Sequence, residues 1–203
     1  MSKDGVNPRR RRLLQITTSL GVVGTAFASA PFVLSMTPSA RARAAGAPVE
    51  VDISKLETGM LKTEEWRGKP VWILRRTPEM LASLKKDQGV LADPDSQNSQ
   101  QPDYVDDQTR SIKPEILVLV GICTHLGCSP DKRLESGSAS GLGPDWPGGF
   151  FCPCHGSKFD LAGRVFKDVP APRNLVVPPY SFKDDNTLIV GVDPEKTKDK
   201  GTA

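Results

Sequence analysis

Cysteine and histidine are rare in this 203-residue chain, at four and two, and none lies outside two hexapeptides. No G-x-S-x-G elbow, Walker loop or dinucleotide-binding glycine pattern is present, so these hydrolase, NTPase and nicotinamide-enzyme signatures are excluded. Internal repeats are absent, which argues against a solenoid or propeller. A basic head is absent too. The formal net charge is +3, yet residues 1–46 hold seven basic side chains against Asp4 alone, leaving 20 basic and 23 acidic ones for the rest. The positive excess therefore belongs to the N-terminal segment, and charge gives no support for nucleic-acid binding. The length fits one main domain plus extras. Its 18 glycines and 18 prolines point to a loop-rich, strand-based fold.

The two hexapeptides are Cys123-Thr124-His125-Leu126-Gly127-Cys128 and Cys152-Pro153-Cys154-His155-Gly156-Ser157. The first offers C-x-H and the second C-x-x-H, each with one further cysteine. Gly127, Pro130, Pro153 and Gly156 mark both as loops. Two metal readings compete. One is structural zinc held by Cys and His at short spacing. The other is a two-iron cluster in which two histidines replace two cysteines on one iron. Three details favour iron. The two spare cysteines can bond to each other, Ser157 can donate to a bridging sulfide, and the Gly156 and Ser157 backbone N–H groups can do the same.

The pair C-T-H-L-G-C and C-P-C-H-G-S resembles the Rieske iron–sulfur proteins of the ubiquinol–cytochrome c reductase family. The resemblance extends more loosely over the whole chain, from a membrane anchor to a proline-rich loop at 169–175. It implies a mainly β protein: a Rieske-type antiparallel β-sandwich head with a cluster-binding subdomain, on a single N-terminal transmembrane helix. It implies one Rieske [2Fe-2S] cluster, with Cys123 and Cys152 on the inner iron and His125 and His155 on the outer one. It further implies a Cys128–Cys154 disulfide tying the two loops together. His155 takes the catalytic role, accepting the quinol O–H at the outer quinone site of cytochrome b. The electron then passes to a c-type cytochrome subunit. Ubiquinol, the membrane and these two cytochromes are the expected partners. Turnover belongs to the whole reductase, and the subunit alone is an electron carrier.

One position departs from the family. Many quinol-oxidising relatives have Tyr two residues after the serine of the second box, donating to the sulfur of the first-box cysteine. Here that position is Phe159.

Neutral imidazoles in place of thiolates raise a cluster's potential, to roughly −150 to +300 mV against about −400 mV for all-cysteine plant-type centres. Each histidine ligand also leaves a ring nitrogen whose acidity follows the oxidation state. Electron and proton can therefore be taken together, as quinol oxidation requires. Three rivals remain. A soluble Rieske ferredoxin would lack the spare cysteines and the anchor. The Rieske small subunit of a periplasmic arsenite oxidase-like enzyme shares the export signal and the cluster. A zinc-binding interaction module is of another class.

Arg9 to Arg12 precede Leu13-Leu14, a twin-arginine export pattern within an n-region at 1–12. No charge follows until Arg41. As a helix, 13–36 would rise about 36 Å against a bilayer core of about 30 Å. Pro31 is expected to kink or end it. A cleavable signal is the rival, since Ala42-Arg43-Ala44 has an A-x-A look. Four arginines put the N-terminus in the cytoplasm, giving a single-pass protein of the bacterial inner membrane with a periplasmic head. A disulfide suits that compartment. Residues 37–48 read as a linker, a hinge by family resemblance or a passive tether. The head spans 49–192, with the cluster-binding part at about 115–175 and a charged tail at 193–203.

Within the head, strands are expected at 49–53, 115–122, 149–152, 164–167, 175–177 and 187–192. A hairpin at 60–75 turns at Arg67-Gly68. A short helix starts at Thr77-Pro78-Glu79 and runs to about Lys86. Residues 87–113 are polar and read as a long surface excursion, and 129–149 as an insertion. The prolines at 170 and 172 make 169–175 a stiff lid over the cluster or an ordinary inter-strand loop.

Overall fold

The computed structural model describes residues 7–40, 46–98 and 100–194. Ala42-Arg43-Ala44, the middle of the linker, the first six residues and nearly all of the tail lie outside the described residues. The chain forms two units, Met1–Ala44 and Ala45–Ala203.

In the first unit, helix α1 spans Pro8–Ser35. It begins ahead of the apolar run because Asn7 caps it, its side-chain oxygen accepting the Arg9 and Arg10 N–H groups, with Pro8 in the first turn. Its 28 residues would rise about 42 Å. Pro31 lies inside the helix and does not end it, contrary to one of the two expected outcomes; the helix continues to Ser35. The polar residues that dilute the run are internally satisfied. Thr17, Thr25 and Ser29 each donate to a carbonyl one turn back, at 2.9, 2.8 and 2.8 Å. Bonding of this kind lets hydroxyls sit in an apolar helix. By length and composition α1 suffices to cross a membrane.

Among the described residues, the head forms three three-stranded antiparallel sheets. The first joins β1 (Val49–Asp52), β9 (Thr187–Val190) and β8 (Tyr180–Phe182) in the order β1-β9-β8, so the ends of the domain close on each other. The second is β2 (Leu61–Trp66), β3 (Lys69–Arg75) and β4 (Ile116–Val120). Its hairpin turns at Arg67 and Gly68, both at positive φ (53° and 69°), the handedness that matches strand twist. All five β4 residues are buried, which is why this strand reads as an unbroken apolar run. The third sheet is β5 (Asp131–Arg133), β6 (Gly149–Phe151) and β7 (Lys158–Phe159). Side chains from all three sheets meet in one continuous core containing Val51, Trp72, Leu119, Phe150, Phe159 and Leu188. The short helix α2, Pro78–Lys86, caps on the Thr77 hydroxyl and buries Leu84.

Two expected strands are not strands. In 164–167, Val165 and Phe166 make only isolated bridges, to Phe159 and Leu91. In 175–177, the Leu175 and Val177 amides go to Gly163 and Gln100 while the Val176 carbonyl accepts from Val120. Three partners in three segments cannot form a ladder. β5, β7 and β8 were not expected, because strands of two or three residues are too short to show a period, and Asp131-Lys132-Arg133 owes its form to pairing with β6.

The 87–113 segment is not a surface excursion. It carries Leu91, Val105, Arg110 and Ser111 into the interior. Its polar composition hides this because what it buries is partly charge. Arg76, Arg110 and Arg164 are all buried, with Asp160 beside Arg164 at 2.8 Å. Arg76 donates to the carbonyls of Pro114, Thr109 and Leu161. Burial lowers the Arg76 and Arg110 pKa values to about 10, so both stay charged at neutral pH. Such charges are tolerated inside only when fully hydrogen-bonded.

Candidate metal centre

β4 runs through Gly121 and Ile122 into the first box, and β6 runs directly into the second. The two boxes fold alike. In the first, the Cys123 N–H donates to the Cys128 carbonyl (2.7 Å) and the Gly127 N–H back to Cys123 (3.1 Å). In the second, the Cys152 N–H donates to the Ser157 carbonyl (2.8 Å) and the Gly156 N–H back to Cys152 (2.9 Å). Each closure needs a left-handed fifth residue, and glycine supplies it at φ 88° and 79°. Trp72 underlies both loops. It stacks on Phe150, two residues before Cys152, with centroids 4.9 Å apart. It also fills the space beside Gly121, two residues before Cys123, where a Cβ would stand 2.2 Å from the indole.

Cys128 and Cys154 are joined by a disulfide, leaving Cys123 and Cys152 as buried free thiols. The sulfurs of Cys128, Cys152 and Cys154 lie within 4.8 Å of one another, so the disulfide abuts a free thiol. That trio is not itself a ligand set, because two of its members are bonded to each other. The His125 and His155 rings meet edge to face with centroids 4.8 Å apart. His125 is half-buried and His155 exposed.

The electrostatics of the site suit a metal centre. Burial pushes the Cys123 thiol above its ordinary pKa; the His125 backbone N–H opposes this and the neighbouring Cys152 thiol adds to it. Paired buried thiols become thiolates when a cation compensates them. His125 Nδ1 is buried without a hydrogen-bond partner. An orphaned buried nitrogen of this kind is open to a metal ion. The two free thiols and the Ser157 hydroxyl interact with one another, the two imidazoles meet edge to face on the same pair of loops, and the chemistry of this donor set fits an iron–sulfur group.

The 169–175 loop is tied to both boxes. The Ala171 N–H donates to Ser157 Oγ at 3.0 Å, and Thr124 Oγ1 donates to the Arg173 carbonyl at 2.6 Å. Buried Asn174 accepts the Val165 N–H at 2.8 Å. Phe159, wholly buried in β7, pairs with Phe150. Sequence reasoning missed Thr124, Asn174, Arg110 and Trp72. Thr124 and Asn174 carried a signal, their places inside the first box and the 169–175 loop; Arg110 and Trp72 come from segments distant along the chain.

Residues 97–181 match the Rieske [2Fe-2S] domain family, and with the paired cysteine loops this defines a Rieske-type iron–sulfur protein whose cofactor is a [2Fe-2S] cluster. Residues 1–39 match the family described as "Ubiquitinol-cytochrome C reductase Fe-S subunit TAT signal". The ubiquinol-cytochrome c reductase iron-sulfur subunit of Allochromatium vinosum is 61% identical over 194 residues, covering 95% of this chain and 93% of that one. The subunit of the same name from Blastochloris viridis is 42% identical over 192 residues, covering 94% and 97%. A solved chain of "Hyperthermophilic respiratory Complex III" aligns at 29% identity and TM-score 0.46, covering 85% of this chain and 96% of that one. The chain belongs to the family of ubiquinol-cytochrome c reductase iron-sulfur subunits. The identities to the two reductase subunits favour the quinol reductase reading over the arsenite oxidase one. The export signal and α1 fit a membrane-anchored subunit.

Proposed function

We propose that this chain is the electron-carrying subunit of a quinol–cytochrome c oxidoreductase. It takes one electron from ubiquinol at the outer quinone site of cytochrome b and delivers it to a c-type cytochrome, with proton release. Cys123 and Cys152 hold one iron, His125 and His155 the other. Bound there, the cluster supplies a one-electron acceptor of raised potential, because two neutral imidazoles replace two thiolates. His125 Nδ1, buried and without a hydrogen-bond partner, would be the atom that holds its iron, and His155 bound in the same way would keep Nε2 for the substrate. His155 Nε2 accepts the quinol hydroxyl proton, which its exposure allows. Ser157 Oγ already accepts the Ala171 N–H, which leaves its own proton free to donate to sulfur. The disulfide holds the two ligand loops at fixed spacing. Arg9 to Arg12 keep the N-terminus cytoplasmic, which puts the head in the periplasm of a bacterial inner-membrane protein.

The observation that carries this reading is the contrast between two buried thiols and an exposed histidine whose ring meets that of its half-buried partner. The test is affinity purification of the tagged chain from membranes. The preparation is expected to carry b- and c-type haem, reduce cytochrome c with quinol, and show a midpoint potential that is flat at low pH and falls at neutral to alkaline pH. Absence of haem, or a pH-independent potential, overturns the proposal.

A further inference from the structure

Arg110 is wholly buried, yet its backbone is left-handed, at φ 53°. A non-glycine residue adopts that conformation at a conformational cost, and such costs persist where the surroundings enforce them. Here a closed turn does so. The Arg110 N–H donates to the Asp106 carbonyl at 2.7 Å, and the Asp106 N–H to the Ser111 carbonyl at 3.3 Å. One carboxylate oxygen of exposed Asp106 accepts from the Gln108 N–H, the Thr109 N–H and the Thr109 hydroxyl, at 3.1, 2.7 and 2.9 Å.

The turn aims the guanidinium at the foot of the loop that covers the ligand boxes. Nη2 donates to the Leu175 carbonyl at 2.7 Å, Nη1 to Ala162 and Gly163 at 3.2 Å each, and Nε to Gln101 Oε1 at 2.8 Å. No carboxylate is among these four acceptors, so the side chain acts as a directional fork, a geometry lysine cannot reproduce. Gly163 and Leu175 are also joined directly, the Leu175 N–H donating to the Gly163 carbonyl at 2.8 Å. Four residues before Leu175, Ala171 is bonded to Ser157 of the second box; two before it, Arg173 is bonded to Thr124 of the first. From the same segment, the Asp93 carbonyl accepts the Asn174 side-chain amide at 3.1 Å. Buried Arg76 and Arg164 bond elsewhere: Arg76 to Pro114, Thr109, Leu161 and Ser111, Arg164 to Asp160, Pro94 and Leu84.

We propose that Arg110 is a positioning residue of the metal centre: it clamps the foot of the 170–175 loop, and thereby sets how that loop seats on both ligand boxes. The inference rests on the cluster reading only for its effect on the bound group; the clamp itself belongs to the polypeptide.

The test is amide hydrogen exchange of the full chain in detergent, with peptides covering 170–176 compared with peptides covering β3 and β4. Arg110→Lys keeps the charge and loses the fork. Exchange in 170–176 is expected to rise at least tenfold, with β3 and β4 unchanged. Asp106→Ala releases the turn but keeps the guanidinium, and a smaller rise of several-fold is expected at the same peptides. In both variants the EPR line shape should shift and the cluster should be lost faster to a chelator. Unchanged exchange in 170–176, or a rise in step with β3 and β4, overturns the proposal. Should Arg110→Lys fail to accumulate, Asp106→Ala carries the same two outcomes. A preparation with no iron–sulfur EPR signal in which 170–176 still responds would overturn the cluster reading and leave the clamp standing.

Discussion

The Ser157 hydroxyl accepts the Ala171 amide proton at 3.0 Å, so one buried side chain belongs to both the second cysteine box and the loop above it. Its remaining proton is free to point toward the buried sulfurs. Ser157→Ala should lower the cluster's potential by tens of millivolts, for a bond on the order of 1 kcal/mol, and should speed exchange of the Ala171 amide. Voltammetry and hydrogen exchange read the two effects separately. An unchanged potential with faster exchange would leave Ser157 only the loop tie.

The ligand assignment has a direct test. Cys123→Ser and Cys152→Ser should abolish the iron–sulfur EPR signal. His155→Cys should give a centre of lower potential, or none, since a thiolate adds negative charge. A wild-type signal from Cys123→Ser would show the ligand set to be wrong.

Cys128 and Cys154 are 26 positions apart. Chain entropy gives such a cross-link about 3–4 kcal/mol on the loop-closure model. Part of that should appear as cluster retention, because the bond joins the two ligand loops. The double variant Cys128→Ser, Cys154→Ser is expected to lose its cluster in mild denaturant that the parent survives. Equal stability and equal retention would remove the bracing role.

Phe159 stands where the resemblance to quinol-oxidising Rieske proteins implies tyrosine, and it is wholly buried beside Phe150. A hydroxyl there could donate to Cys123 Sγ and withdraw charge from it. A hydrogen bond to a charged group is worth on the order of 1.5 kcal/mol, discounted because it acts in both redox states. Phe159→Tyr should therefore raise the potential by tens of millivolts in voltammetry. No change, or a drop, would mean that the hydroxyl does not reach the sulfur.

Alkaline stability should track Tyr180. Burial raises its pKa to about 12, although the Ile112 N–H bonded to its hydroxyl at 2.7 Å works the other way. The folded state therefore holds the phenol proton more tightly than the unfolded chain, whose tyrosines titrate near 10. This contribution is complete below about pH 10 and is lost as pH rises from there through about 12. Burial raises Tyr104 in the same direction. Tyr180→Phe should cost about 1–2 kcal/mol at neutral pH, because the Ile112 N–H loses its acceptor, and should flatten the alkaline fall. Urea midpoints between pH 8 and 11.5 check both. An equally steep fall in the variant would assign it to other groups.

Sequence alone determined what depends on composition and short-range pattern. Most of the charge-free run became the body of α1, the apolar run 116–120 became the buried β4, and the two hexapeptides became matched loops because their glycines sit at equivalent positions. Tertiary structure decided what depends on residues far apart in the chain. Arg110 lies 65 residues before the Leu175 carbonyl it clamps, and Thr124 lies 49 before the Arg173 carbonyl it holds. Such bonds leave no periodicity, so 87–113 read as surface although it is stitched into the interior. The short strands β5, β7 and β8 stayed invisible for the same reason. A partner's exposed backbone groups make them strands, and local propensity over so few residues cannot.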